Sequence, residues 1–210
     1  MSHSSASAPT TTAPGGLMAY RTIDIVTAAT LGVAFGVAFW GWNQLYLLID
    51  NISVFAFPPS GGLLGGPWLI AGVVGGLVVR RPGAAVATEV IAAFVSGMLG
   101  NQWGFSVLVS GLLEGLGVEL VLAVLLYRRF GLVVAMLAGA CAGVFESVYE
   151  WYSYYPDWDL GFRLAHLGFF ALSGALVAGL GGWVLVRGLA RTGALDAFGP
   201  GREHHQRHAS

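Results

Sequence analysis

The sequence predicts an all-α integral membrane protein: a bundle of six transmembrane helices with both termini cytoplasmic. Three observations lead there. Of 210 residues, 56% are hydrophobic and only 10% are charged, whereas a soluble domain carries about 25% charged residues. The apolar residues collect into six runs separated by short polar turns. The arginines concentrate in alternate turns, which marks one side of the bilayer as cytoplasmic.

The elements follow in order. Residues 1–19 are rich in Ser, Thr, Ala and Pro, and read as a disordered tail rather than a signal peptide. The six-helix domain covers residues 20–190. Its first helix is Thr22–Ile49, and the second is about 62–79. The third, Ala84–Leu99, has sixteen residues, short against the roughly 20 that cross a hydrocarbon core. The fourth is 105–127, the fifth 131–151 and the sixth 162–186. A lone span in lipid must satisfy its own backbone hydrogen bonds, so each reads as a helix. Residues 191–210 form a polar cytoplasmic tail. Its His204, His205 and His208 read as solvated, with metal binding as the sharper alternative. Arg21, Arg80, Arg81, Arg128, Arg129, Arg187 and Arg191 lie on one side. The opposite turns hold Asp50, Asp157, Asp159 and Arg163.

Composition also excludes. All ten basic residues are arginine, so the chain has no Schiff-base lysine and no P-loop lysine of its own. A single cysteine, Cys141, rules out an intrachain disulfide. The 32 glycines are scattered through apolar runs, a pattern that suits close helix–helix approach. No GxSxG, HExxH or strand-placed GxGxxG is present, so no enzyme chemistry is expected, and no cofactor or resident metal.

The stretch GLLEGLGVEL, with Glu114 and Glu119, places charge inside an apolar run. Glu89, Glu146 and Glu150 do the same in the third and fifth helices. Each such carboxylate costs at least ~2.5–3.5 kcal/mol at the bilayer centre. No intramembrane arginine is available as a partner. Two readings stay open. A cationic or amine-bearing ligand sits between carboxylates and aromatic rings, or protonated acids bridge helices beside an ordinary aromatic belt. Glu146 and Glu150, four apart, share a helical face. Glu114 and Glu119, five apart, point about 140° away from each other, and different roles are expected. Interhelical bonding and function weigh equally for Glu119.

Around these acids, at the outer ends of their helices, fall Trp42, Asn43, Asn101, Trp103, Trp151, Tyr155 and His166. The outer connection 50–67 contains Phe55, Phe57, two prolines and paired glycines, and reads as a lid or a plain loop. On the first helix Ala28, Gly32 and Gly36 recur every fourth residue. Such spacing suits internal packing or a docking face for another membrane protein.

The run RRPGAAVATEVIAAFVSGMLGNQWGFSVLVSGLLEGLGVEL, residues 80–120, resembles the S components of energy-coupling-factor (ECF) vitamin transporters, in their hydroxymethylpyrimidine/thiamine permease branch. RPGAA, Glu89, the LGN ending at Asn101 and GLGVE ending at Glu119 carry the likeness. SGALVAG and RTGAL nearer the C-terminus add to it. The resemblance implies a substrate-binding subunit in the cell membrane with an outward-facing site. It also implies docking on a transmembrane coupling subunit driven by two ATPase subunits, here through Ala28, Gly32 and Gly36.

The expected cargo is thiamine or its pyrimidine precursor. Its aminopyrimidine donates to carboxylates, and the thiazolium of thiamine is a permanent cation. Glu89, Glu114 and Glu146 are expected as acceptors or counter-charges, joined by Glu150 and His166. Asn101 is expected to add a hydrogen bond, and Trp42, Trp103, Trp151 and Tyr155 to stack. Nucleic acid is not an expected partner. The rivals are an S component for another vitamin or for cobalt, and a structural membrane protein.

Overall fold

The computed structural model describes residues 19–49 and 56–208. The N-terminal tail up to residue 18, Asp50 and the start of the outer connection, including Phe55, lie outside them, as does the side chain of His208. Among the described residues the structure is helical throughout. Eight α-helices occur: α1 (Thr22–Ile49), α2 (Ile70–Val79), α3 (Ala84–Leu99), α4 (Val107–Val124), α5 (Leu132–Ser153), α6 (Leu160–Ser173), α7 (Gly182–Arg191) and α8 (Gly199–His208).

Five stretches are long and apolar enough to cross a bilayer: Thr22–Ile49, Pro58–Val79, Gly104–Val124, Leu132–Ser153 and Leu160–Arg191. The sixth expected span, Ala84–Leu99, is a shorter apolar helix. At ~1.5 Å per residue it rises about 24 Å.

Two elements differ from the sequence expectation. The second is one helix only from Ile70. Before it, Pro58–Leu64 and Gly66–Leu69 wind as tighter 3-10 turns. Two prolines and paired glycines cannot propagate an α-helix, but a buried side-chain partner holds these turns in place. The Ser173 hydroxyl donates to the Leu63 carbonyl at 2.6 Å and accepts from the Gly66 amide at 3.0 Å. The sixth element runs from Leu160 to Arg191, with a π-helical stretch at Gly174–Gly181 between α6 and α7. Here backbones nearly touch: a Cβ on Gly174 would lie 2.2 Å from the Gly139 carbonyl oxygen.

α2 is the centre of the bundle. Its sequence IAGVVGGLVV is buried on nearly every side, and α1, α3, α4, α5 and α7 all pack on it. Leu69, Val73, Val74, Leu77 and Val78 form the core with Val118, Leu122 and Ala178. Lipid is as apolar as these side chains, so close packing, not water exclusion, holds the helices together. The chain reverses between α2 and α3 at Gly83, whose φ of 89° is open to glycine.

The stripe Ala28, Gly32 and Gly36 faces inward, against its expected role as a docking face. It is buried, and α1 packs there on α3. A Cβ on Gly32 would meet Ile91 at 2.6 Å, and one on Gly36 would meet Val95 at 2.5 Å. A partner helix cannot reach this stripe while α3 occupies it. The exposed small residues of α1 are Thr30, Ala34 and Ala38, one turn apart.

Alternating helix directions sort the molecule into two ends. Arg21, Arg80, Arg81, Arg128, Arg129, Arg187 and Arg191 gather at one. There Asp24, fully buried, accepts from Arg21 at 2.6 Å with Arg81 at 3.9 Å. The C-terminal residues continue at this end as α8, rather than as a plain tail. Glu203 pairs with Arg80, and His205 lies 2.9 Å from Asp196. The late parts of α1, α3 and α5 and the early parts of α4 and α6 meet at the other end.

Candidate functional site

The two carboxylates of GLLEGLGVEL part company on α4. Glu119 turns towards α3, where it accepts from the Ala85 amide at 2.8 Å and from the Tyr127 hydroxyl. It thereby satisfies an otherwise orphaned donor of the first turn of α3. That is interhelical bonding. Glu114 is also buried, but it faces a hollow at the aromatic end.

The hollow lies between α1, α3, α4, α5 and α6. Its acidic wall is Glu114, Glu146 and Glu150, and its aromatic wall is Trp68, Trp103, Tyr154 and Phe170. Ser110 donates to Oε1 of Glu146 at 2.6 Å, while Oε2 is buried without a protein partner. No described residue donates to Glu114. Glu150 faces Nε2 of His166 at 3.3 Å, and the other ring nitrogen of His166 meets the Ser147 hydroxyl at 2.9 Å. Carboxyl groups are therefore concentrated here with fewer donors than their oxygens can use.

The aromatic wall is held from behind. Trp68 Nε1 donates to Asn43 Oδ1 at 2.8 Å, and Asn43 Nδ2 donates to Ser96 at 3.1 Å. Trp68 meets Trp103 edge-on at 5.3 Å between centroids, and Tyr46 leans on both. The hollow measures about 60 Å³, room for a few water molecules. Ligand sites usually span about 300–1,000 Å³.

The other expected site residues fall elsewhere. Glu89 is fully buried behind the hollow and does not line it. Its Oε2 accepts from the Gly72 amide at 2.5 Å, while Oε1 has no partner. Asn101 folds back to accept from the Trp103 amide at 2.9 Å. Trp42 donates to the Leu64 carbonyl at 3.2 Å and lines a separate apolar groove. Trp151 does not line the hollow, and its Nε1 is buried without a partner. Tyr155 stacks on Trp158 at 3.9 Å and meets His166 edge-on. The structure thus brings together Trp103, Glu114, Glu146 and Glu150, with His166 one contact away.

Sequence reasoning missed Trp68, Ser96, Ser110 and Ser147, and saw Asn43 and Tyr154 only as outer polar and aromatic groups. Ser110 lies one turn before Glu114, and Ser147 adjoins Glu146, so helical spacing carried a signal. Gly62, Gly65 and Gly66 of the outer connection are packed rather than hinge-like, whereas a Cβ at Gly61 would meet nothing within 4 Å. A Cβ at Gly65 would meet the Phe170 ring at 2.2 Å, and one at Gly66 the Ser173 hydroxyl at 2.5 Å.

Three comparisons bear on this site. The family model described as "ABC-type cobalt transport system, permease component" matches residues 23–145. A Bacillus subtilis (strain 168) protein named as an HMP/thiamine permease, YkoE, is 33% identical over 189 residues, which is 89% of this chain and 93% of the relative. A crystal structure of an S-component of an ECF transporter superposes with a TM-score of 0.84 at 31% identity. It covers 91% of this chain and 96% of the other.

Proposed function

Because this multi-pass membrane chain belongs to the ABC-type cobalt transport permease family and is an S component of an ECF transporter, we propose that it captures thiamine or hydroxymethylpyrimidine in the acidic hollow. S components bind substrate and are not enzymes. One observation carries the choice of cargo: three carboxylates share a small space with indole and phenol rings, and one carboxylate oxygen is buried without a donor. An aminopyrimidine supplies N–H donors to such oxygens, and a thiazolium supplies a cation to the rings. The name of the related permease points the same way. Cobalt fits less well, since such metals favour imidazole and His166 is the one histidine here.

The hollow is too narrow for a vitamin as it stands, so binding displaces the Tyr46–Trp68–Trp103 cluster. Titration with thiamine and with hydroxymethylpyrimidine should therefore give a saturable change in tryptophan fluorescence. No saturable response to either at micromolar levels overturns the assignment.

In this reading the chain has six spans, the short α3 among them, with both termini cytoplasmic, the hollow on the outer side and the arginines inside. The transmembrane coupling subunit, with its two ATPase subunits, docks on the exposed Thr30, Ala34 and Ala38 face of α1, where small side chains permit close approach. Ala34→Trp should abolish labelled-vitamin uptake in cells and leave binding by the purified chain unchanged. Normal uptake rules this face out.

A further inference from the structure

A larger cavity lies at the arginine end, far from the hollow. It measures about 350 Å³ and is walled by α2, α7, the start of α5 and α8. Its composition is split. Leu77, Leu132 and Val186 form apolar wall, and Arg80, Arg187 and Arg191 bring cations to it. Glu203 pairs with Arg80, whose guanidinium also lies 4.4 Å from the Phe130 ring centroid. Arg187 stacks on Trp183 at 4.5 Å. Among the described residues neither Arg187 nor Arg191 has a carboxylate partner. Two uncompensated guanidinium groups therefore border a cavity with an apolar wall.

We propose that this cavity binds the phosphodiester headgroup of an anionic membrane lipid. Guanidinium groups match phosphate oxygens in geometry as well as charge, and basic pockets between membrane helices take such headgroups. A lipid is favoured over a free phosphate because exposed apolar side chains adjoin the lining residues in sequence. Val133 follows Leu132 and is 67% exposed; Val184 follows Trp183 and is 54% exposed. An acyl chain leaving the cavity would lie over them. Trp183 lies one helical turn before Arg187, near the arginine end of the Leu160–Arg191 span, and indoles are enriched near the ends of such spans.

The test is native mass spectrometry of the purified full chain with equal phosphatidylglycerol and phosphatidylcholine. The wild type should retain phosphatidylglycerol about thirtyfold over phosphatidylcholine, as attraction of ~1 kcal/mol for each of Arg187 and Arg191 implies. The pair Arg187→Gln and Arg191→Gln should bring that ratio near parity. The pair Arg128→Gln and Arg129→Gln, at the same end but outside the cavity, should leave it unchanged. Arg191→Gln alone, expected to lower the ratio in part, serves if the double variant does not fold. Parity in the wild type overturns the proposal, as does an equal loss in the Arg128/Arg129 pair or a full ratio in the cavity variants. Displacement of the lipid by millimolar inorganic phosphate would assign the site to free phosphate and overturn it too.

Discussion

Glu146→Gln should weaken vitamin binding by about 10- to 100-fold, while the unliganded protein unfolds at the same temperature or higher. A hydrogen bond to a charged group is worth about 1.5–3 kcal/mol, and Glu146 has a carboxylate oxygen free to make one. The amide keeps the volume and can keep the Ser110 contact. It removes an acidic group buried without a cationic partner, so the apo protein is expected to lose no stability. Opposite movements of affinity and stability separate a ligand-binding acid from a helix bridge, whose loss would lower stability and spare affinity. Glu89→Gln is the internal control. Glu89 does not line the hollow, and a glutamine oxygen can still accept from Gly72. Its vitamin affinity should change little. Fluorescence titration and thermal unfolding of both variants make the measurement, and unchanged affinity in Glu146→Gln sinks the carboxylate role.

How far the site was legible follows from what hydropathy encodes. A charge in an apolar run is conspicuous, so Glu89, Glu114, Glu119, Glu146 and Glu150 were all found, and helix direction set their depths. Depth does not say which neighbour a side chain meets. Glu89 and Glu114 read alike, yet Gly72 sits against one and the hollow opens to the other. α1 has the same ambiguity. Ala28–Gly32–Gly36 and Thr30–Ala34–Ala38 are both stripes of small residues, and only the partner α3 decides that the first is buried. Trp68 was invisible for another reason: it stands on a 3-10 turn whose shape depends on Ser173, more than 100 residues away. Local propensity also misreads α8. GPGREHHQRH has two glycines and a proline, and its helix is fixed instead by Glu203 on Arg80 and His205 on Asp196.

The largest structural effect is expected at Gly139. A Cβ there would lie 2.2 Å from the Gly174 carbonyl oxygen and 2.9 Å from the Gly179 amide. Both obstacles are backbone, so no rotamer change relieves them, and α5 must move away from residues 174–181. Gly139→Ala should cost about 1–3 kcal/mol as overpacking and lower the melting temperature by roughly 5–10 °C. Gly139→Leu should yield little folded protein. Gly168→Ala gives the opposite sign: nothing lies within 4 Å of a Cβ there, and alanine gains about 1 kcal/mol of helix propensity over glycine. The effect should reach the ligand as well. Gly139 is seven residues, about two turns, before Glu146, and a Cβ on Gly143 between them would lie 2.5 Å from the Phe170 carbonyl oxygen. Moving α5 outward withdraws Glu146 and Glu150 from Glu114. Whatever fraction of Gly139→Ala folds should bind thiamine more weakly than wild type, and full affinity in that variant would mean that the acidic wall does not depend on the close seat of α5.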